Sequence, residues 1–216
     1  MHHIMFDIDG TLVQSYDLDS ECFISAVKEV VGVDINSDWS TYANVTDAGI
    51  LNETLESKGI SDKRGIFEKV KSVFIQKIKE KINVNSVREI AGASLFLKHL
   101  KSLDDITLSF STGGWQETAI LKLLAAGIDF SDIPIASSND HFKRVEIMKI
   151  AASRTTKDAT CSFTYFGDGS WDKKACEELG FNFVLVGNKI KHQPNINNFK
   201  QIDKVMEYVC FQQSNY

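Results

Sequence analysis

Short apolar runs alternate along this chain with stretches whose apolar residues recur every three or four positions. Five runs read as strands: Ile4 to Ile8, Ile106 to Phe110, Ile133 to Ala136, Ser162 to Phe166 and Phe181 to Val186. Between the later strands lie helical patterns carried by Ala119, Leu123 and Ala126, then Ile147, Ile150 and Ala151, then Ala175, Cys176 and Leu179. Gly127 and Gly180 stand where helix-ending glycines belong. Strands that feed crossover helices predict an α/β protein with a mostly parallel sheet.

The rhythm breaks between the first and second strands. Residues 15–90 hold helical periods only: Cys22, Phe23, Ala26, Val27, Val30 and Val31 before Gly32; a shorter helix from Thr46 or Asp47 to Gly59; and Phe67, Val70, Phe74, Ile78 and Ile82. This is too long for a crossover and predicts an inserted helical subdomain, leaving residues 1–14 and 91–216 for the core. The insert must leave and rejoin the core close together, which predicts hinges near Ser15 and near Ile90 to Gly92. Lys63, Arg64, Lys69, Lys71, Lys77, Lys79 and Lys81 make its last helix basic, and a solvated face is the expected reading. No internal repeat or low-complexity segment interrupts the pattern.

Acids gather at two strand ends. Asp7 and Asp9 close the first strand, and Gly10 lets the chain turn directly after them. Asp168 and Asp172 follow the fourth, in Gly-Asp-Gly-Ser-Trp-Asp. A parallel sheet brings both groups to its carboxyl edge, where α/β folds bind ligands. Two carboxylates about 4 Å apart repel by roughly 4 kcal/mol at an effective dielectric near 20, so the cluster calls for a cation. An all-oxygen site suits Mg²⁺, which often completes its shell with substrate phosphate. Ser111, Thr112, Gly113 and Gly114 end the second strand with hydroxyls and backbone N–H groups able to hold phosphate oxygens. Lys143 and Arg144 follow the third strand, and either can set a cation against phosphate and nucleophile. Each acidic segment alone could be an ordinary turn; their occurrence at two strand ends, with Ser-Thr-Gly-Gly between, argues for phosphoryl chemistry.

Bulk properties narrow the partners. With 216 residues, 43% of them hydrophobic, the chain can bury a sizeable core. A net charge of -5 leaves no excess of cations for a nucleic-acid backbone. No charged segment leads into a long apolar run and no stretch is apolar enough to span a bilayer, so a soluble, cytoplasmic protein with no membrane partner is expected. Cys22, Cys161, Cys176 and Cys210 have no metal spacing and read as buried thiols. His2 and His3 read as a solvated N-terminus. Oligomeric state leaves no mark in the sequence.

The motif Asp7-Ile8-Asp9-Gly10-Thr11-Leu12, Thr112 or Ser111 after an apolar strand, and Gly167-Asp168-Gly169-Ser170-Trp171-Asp172 together resemble the haloacid dehalogenase superfamily over the whole chain. The basic motif is less clear: Lys143 stands about where the family's Lys belongs, no Pro follows it, and Arg144-Val145-Glu146-Ile147 resembles a variant of the motif. The resemblance implies a three-layer Rossmann-like core with a helical cap, and hydrolysis of a small phosphorylated metabolite. In it Asp7 becomes phosphorylated, Asp9 acts as general acid and base, Asp7, the Asp9 carbonyl and Asp168 hold Mg²⁺, and Asp172 supports the metal. Tyr16, Thr46 and Asp47 are the candidate substrate contacts from the cap, although Thr46 and Asp47 could equally cap a helix. A phosphosugar mutase of the β-phosphoglucomutase type would share every core motif. Asp9 argues against dehalogenation of a haloacid, which needs no proton on a leaving oxygen, and the length and helical insert argue against a receiver-type signalling domain.

Overall fold

The computed structural model describes residues 1–61, 63–155 and 161–210. Its six parallel strands are β1 (His2–Phe6), β2 (Ile106–Ser111), β3 (Ile135–Ala136), β4 (Ser162–Gly167), β5 (Asn182–Val186) and β6 (Asn195–Ile196). They lie in the order β3-β2-β1-β4-β5-β6, so β1 is central and the strand order reverses beside it. Phe6 is in register with Phe110 on one side and Phe166 on the other, which ends three strands at one level.

The period of two sorts side chains between the two faces. Ile4, Phe6, Phe110, Phe166 and Val184 pack with the helices α4 (Ala93–Lys101), α5 (Gln116–Ala125) and α8 (Ile202–Cys210). Met5, Tyr165, Phe183 and Leu185 pack instead with α6 (Arg144–Thr155) and α7 (Ser170–Leu179). The result is three layers, a sheet between two sets of helices. The first face is largely aromatic: Phe6 stacks on Phe166 with centroids 4.9 Å apart, and Phe96 on Phe199 at 5.3 Å.

Residues 16–84 supply α1 (Tyr16–Val31), a 3-10 turn (Trp39–Thr41), α2 (Asp47–Ser57) and α3 (Arg64–Val84). They bury their own apolar cluster, with Phe23, Leu51 and Phe74 at its centre and Trp115 reaching in from the start of α5. The two connections to the sheet layers run side by side: Gln14 donates to the Arg88 carbonyl and Ile90 to that of Leu12. The basic face of α3 is more than a solvated surface. Lys63, Lys71, Lys77 and Lys81 pair with Glu56, Glu117, Glu29 and Glu21, tying α3 to α2, α5 and α1; such exposed pairs contribute little each.

Two expectations need correction. β1 begins at His2, and His3 is completely buried, its ring nitrogens 2.8 Å from Thr107 Oγ1 and 2.8 Å from Ser109 Oγ. It is a satisfied core histidine, and burial pushes its pKa down to about 4. β6 is a sixth strand that the hydrophobic pattern does not predict. Cys22, Cys161 and Cys176 are buried, while the side chain of Cys210 lies outside the described residues. No described helix is long and apolar enough to cross a membrane.

Candidate active site

β1 stops at Phe6, and the next residue, Asp7, donates its backbone N–H to the Phe166 carbonyl on β4. Its carboxyl is therefore held at the sheet edge. Gly10 has φ +81°, and a Cβ there would stand 2.0 Å from Asp168 Oδ2. Only glycine allows both that turn and that approach. Asp168 follows β4, and Asp172 sits in the first turn of α7, where it accepts from the Gly169 N–H at 3.1 Å. Asp7, Asp168 and Asp172 each offer an oxygen, all within 4.8 Å of one another, and all three residues are buried.

Two cations meet these acids. Arg144 Nη1 lies 3.0 Å from Asp172 Oδ1 and 3.5 Å from Asp7 Oδ1. Lys189 Nζ lies 2.5 Å from Asp168 Oδ2 and 3.0 Å from the centroid of the Tyr16 ring. They do not saturate the cluster. Asp168 Oδ1 and Arg144 Nε are buried with no hydrogen-bond partner. Burial first, then the neighbouring Asp172, pushes the Asp7 pKa well above the usual carboxylate range, and burial raises that of Asp168 to about 6 against the pull of Lys189. Three crowded oxygen donors, one of them unsatisfied, fit a hard divalent cation such as Mg²⁺.

Lys143 and Arg144 part company here. Arg144 opens α6 and reaches the acids, whereas Lys143 is exposed, its ammonium 5.9 Å from the Phe142 ring centroid. Ser111 and Thr112 separate too. Thr112 lines the cavity above the acids; Ser111 does not, and its hydroxyl is buried without a partner. Gly113 and Gly114 line the same cavity, and a Cβ on Gly113 would meet Arg144 Nη2 at 2.5 Å. Glycine is what lets the guanidinium pass.

Asp9 stands apart from the other acids. Ser15 donates to its Oδ1 at 2.5 Å, and Lys122 Nζ lies 2.7 Å from its Oδ2. Lys122 also pairs with Asp19 of α1, and its side chain is completely buried. Burial works against that charge, but Asp19 and Asp9 outweigh it and raise the lysine pKa. Sequence reasoning missed Lys122, Asp19 and Lys189. One signal was available: Lys122 lies three residues after Ala119 and next to Leu123, on the face of α5 that packs inward.

The cavity, ≈ 70 Å³, is lined on one side by the helical insert. Tyr16, Thr46 and Asp47 all line it. Thr46 is also the N-cap of α2, accepting from the Gly49 N–H at 3.0 Å and donating to the Phe142 carbonyl at 2.7 Å. Asp47 Oδ2 accepts from the Trp115 N–H at 2.8 Å, and the Asp47 N–H donates to the Gly113 carbonyl. The insert is thus clipped onto the loop after β2.

Residues 4–186 match the family model of the haloacid dehalogenase-like hydrolases. No curated protein sequence matches the chain. Among solved structures the fold is similar to a β-phosphoglucomutase from Clostridium difficile (TM-score 0.72, 19% identity, 97% of each chain covered). It is also similar to CbbY from Rhodobacter sphaeroides in complex with phosphate (0.69, 14%, 94% of this chain and 96% of that one). A predicted phosphoglycolate phosphatase from Haemophilus somnus is a third such match (0.65, 18%, 95% and 98%). With the model spanning most of the chain and the acids of both motifs meeting at one sheet edge, this protein belongs to the haloacid dehalogenase-like hydrolases.

Proposed function

We propose that this hydrolase is a Mg²⁺-dependent phosphatase acting on a small phosphorylated metabolite, with residues 15–90 as a cap over a core formed by 1–14 and 91–216. The observation that carries the reading is the meeting of Asp7, Asp168 and Asp172 beneath a loop of Thr112, Gly113 and Gly114, with Arg144 alongside. Asp7, Asp168 and the Asp9 carbonyl would hold Mg²⁺, with Asp172 in support. The ion, when bound, neutralises the acids and polarises a phosphate oxygen.

The chain's own groups do the rest. Asp7 forms a bond to phosphorus as the bond to the leaving oxygen breaks. Asp9 gives that oxygen a proton, then takes one from the water that opens the aspartyl phosphate. Thr112 and the N–H groups after it hold the phosphate oxygens, and Arg144 balances their charge while fixing Asp7. Ser15 and Lys122 hold the Asp9 carboxyl at the cap-side wall, where a leaving group would pass.

Phosphate release from a panel of small esters, with Mg²⁺ and with a chelator, tests the reading against the Asp7→Asn variant. Turnover that disappears in both controls supports it. Well-folded wild type that releases phosphate from no ester overturns it, and transfer between two sugar hydroxyls without release would indicate the mutase alternative.

A further inference from the structure

Resting on the phosphatase reading of this site, we propose that the alcohol it releases carries a positively charged amino group. The cavity is lined by acids, one cation and aromatic residues. Beside the phosphate loop stands Arg144, whereas Lys189 pairs with Asp168 outside the lining. The lining also takes in Tyr16, Phe23, Trp39 and Trp171 together with the acids Asp19 and Asp47.

Charge around Asp9 is out of balance. Among the described residues, Asp9, Asp19 and Asp47 share a single ammonium, that of Lys122, which pairs with the first two. Asp47 is buried, accepts one hydrogen bond from the Trp115 N–H, and makes no ion pair among the described residues. Burial, and then Asp19, pushes the Asp47 pKa well above the usual carboxylate range, so its charge is costly there and that cost is relieved when a cation arrives. Position adds to the argument. A Cβ on Gly114 would lie 3.7 Å from Asp9 Oδ2, 3.8 Å from Asp47 Oδ2 and 3.5 Å from Thr112 Oγ1. Asp9 and Asp47 therefore flank one small space beside the phosphate loop, so an alcohol protonated by Asp9 meets Asp47 within its first few atoms.

An ammonium fits this lining because it supplies the missing charge. A neutral hydroxyl does not. A carboxylate or a second phosphate would face net negative charge, and the wall selects against it. The pocket thus separates this chain's substrate from phosphorylated hydroxy acids and from bisphosphates.

Three esters of equal length decide the matter: aminoethyl, hydroxyethyl and carboxymethyl phosphate, each assayed with Mg²⁺ at neutral pH. The expected kcat/KM for the amino ester exceeds that for the hydroxy ester by about tenfold or more, with the carboxy ester last. In Asp47→Asn, which keeps an acceptor for the Trp115 N–H and loses the charge, the amino-to-hydroxy ratio falls several-fold. A hydroxy or carboxy ester turned over as well as the amino ester overturns the inference, as does a ratio unmoved in a folded Asp47→Asn protein. If neither these esters nor an aryl phosphate releases phosphate, the phosphatase reading itself has failed. Calorimetric binding of the same three esters to wild type with Mg²⁺ then gives the ranking: tightest binding of the amino ester keeps the inference, and equal or weaker binding overturns it.

Discussion

At the carboxyl ends of β1 and β4, Asp7, Asp168 and Asp172 share Arg144 and Lys189; one helix away, Asp9 and Asp19 share Lys122. Both groups bury acids around a cation, yet their states of completion differ. The strand-end group keeps an oxygen of Asp168 and a nitrogen of Arg144 without partners. No atom of Asp9, Asp19 or Lys122 is left in that condition. Unsatisfied buried atoms mark a place built to receive something, while satisfied ones mark a place built to hold still. On the proposed function, the first group serves binding and chemistry and the second fixes Asp9.

The largest expected effect separates the two groups by function. Asp7→Asn removes the proposed nucleophile and lowers phosphate release by about 10³-fold or more. It also removes a charge from a repelling cluster, so the thermal midpoint stays level or rises. An equal loss of stability and activity would merge the two groups into one structural network.

Lys122→Met attacks the second group. Removing the cation strands two partly buried carboxylates, which costs about 3–5 kcal/mol in denaturant unfolding. Activity falls as well, because Asp9 loses its anchor. A variant as stable as wild type would show that Asp9 and Asp19 find other partners and that the lysine holds nothing.

The strand-end group was far more legible in the sequence than the second. Its acids sit at strand ends, where a period of two and the parallel sheet fix both position and direction, so Asp7, Asp168 and the loop at Thr112 could be brought together on paper. Helical residues carry weaker directions. Asp19 on α1 and Lys122 on α5 meet only because the insert packs against the core, and nothing local announces that contact. A lysine on an apolar helix face also reads as a flaw in the periodicity rather than as a site. The choice of Arg144 over Lys143 turned on which side chain the first turn of α6 aims inward, a rotation that neighbouring residues leave open. His3 was misread for a related reason: its polar partners, Thr107 and Ser109, are on another strand. β6 spans only Asn195–Ile196 and lacks the apolar run by which the other strands were found.

Mg²⁺ should act on one group alone. A ligand present at 100–1,000 times its Kd stabilises the folded state by about 3–4 kcal/mol. Wild type and Asp19→Asn should both gain such a shift in thermal midpoint, and Asp168→Asn should lose most of it. Loss of the shift in Asp19→Asn would couple the metal site to the Lys122 group.

The smallest effect is a pH dependence that assigns the cost of burying Asp19. Burial raises its pKa from 3.8 to about 6 despite Lys122, which pulls the other way. Between those values the folded protein binds more protons at Asp19 than the unfolded chain does, so its contribution to stability falls as pH rises through that window and levels off above it. Asp168 behaves with the same sign, and His3, with its pKa lowered to about 4, runs oppositely. Subtracting the profile of Asp19→Asn isolates Asp19. The wild-type-minus-variant stability should drop by about 1–3 kcal/mol between about pH 4 and pH 6.5, with or without Mg²⁺. A difference that rises over the same interval would mean that pairing with Lys122 outweighs burial, making that group a source of stability rather than a cost carried to hold Asp9.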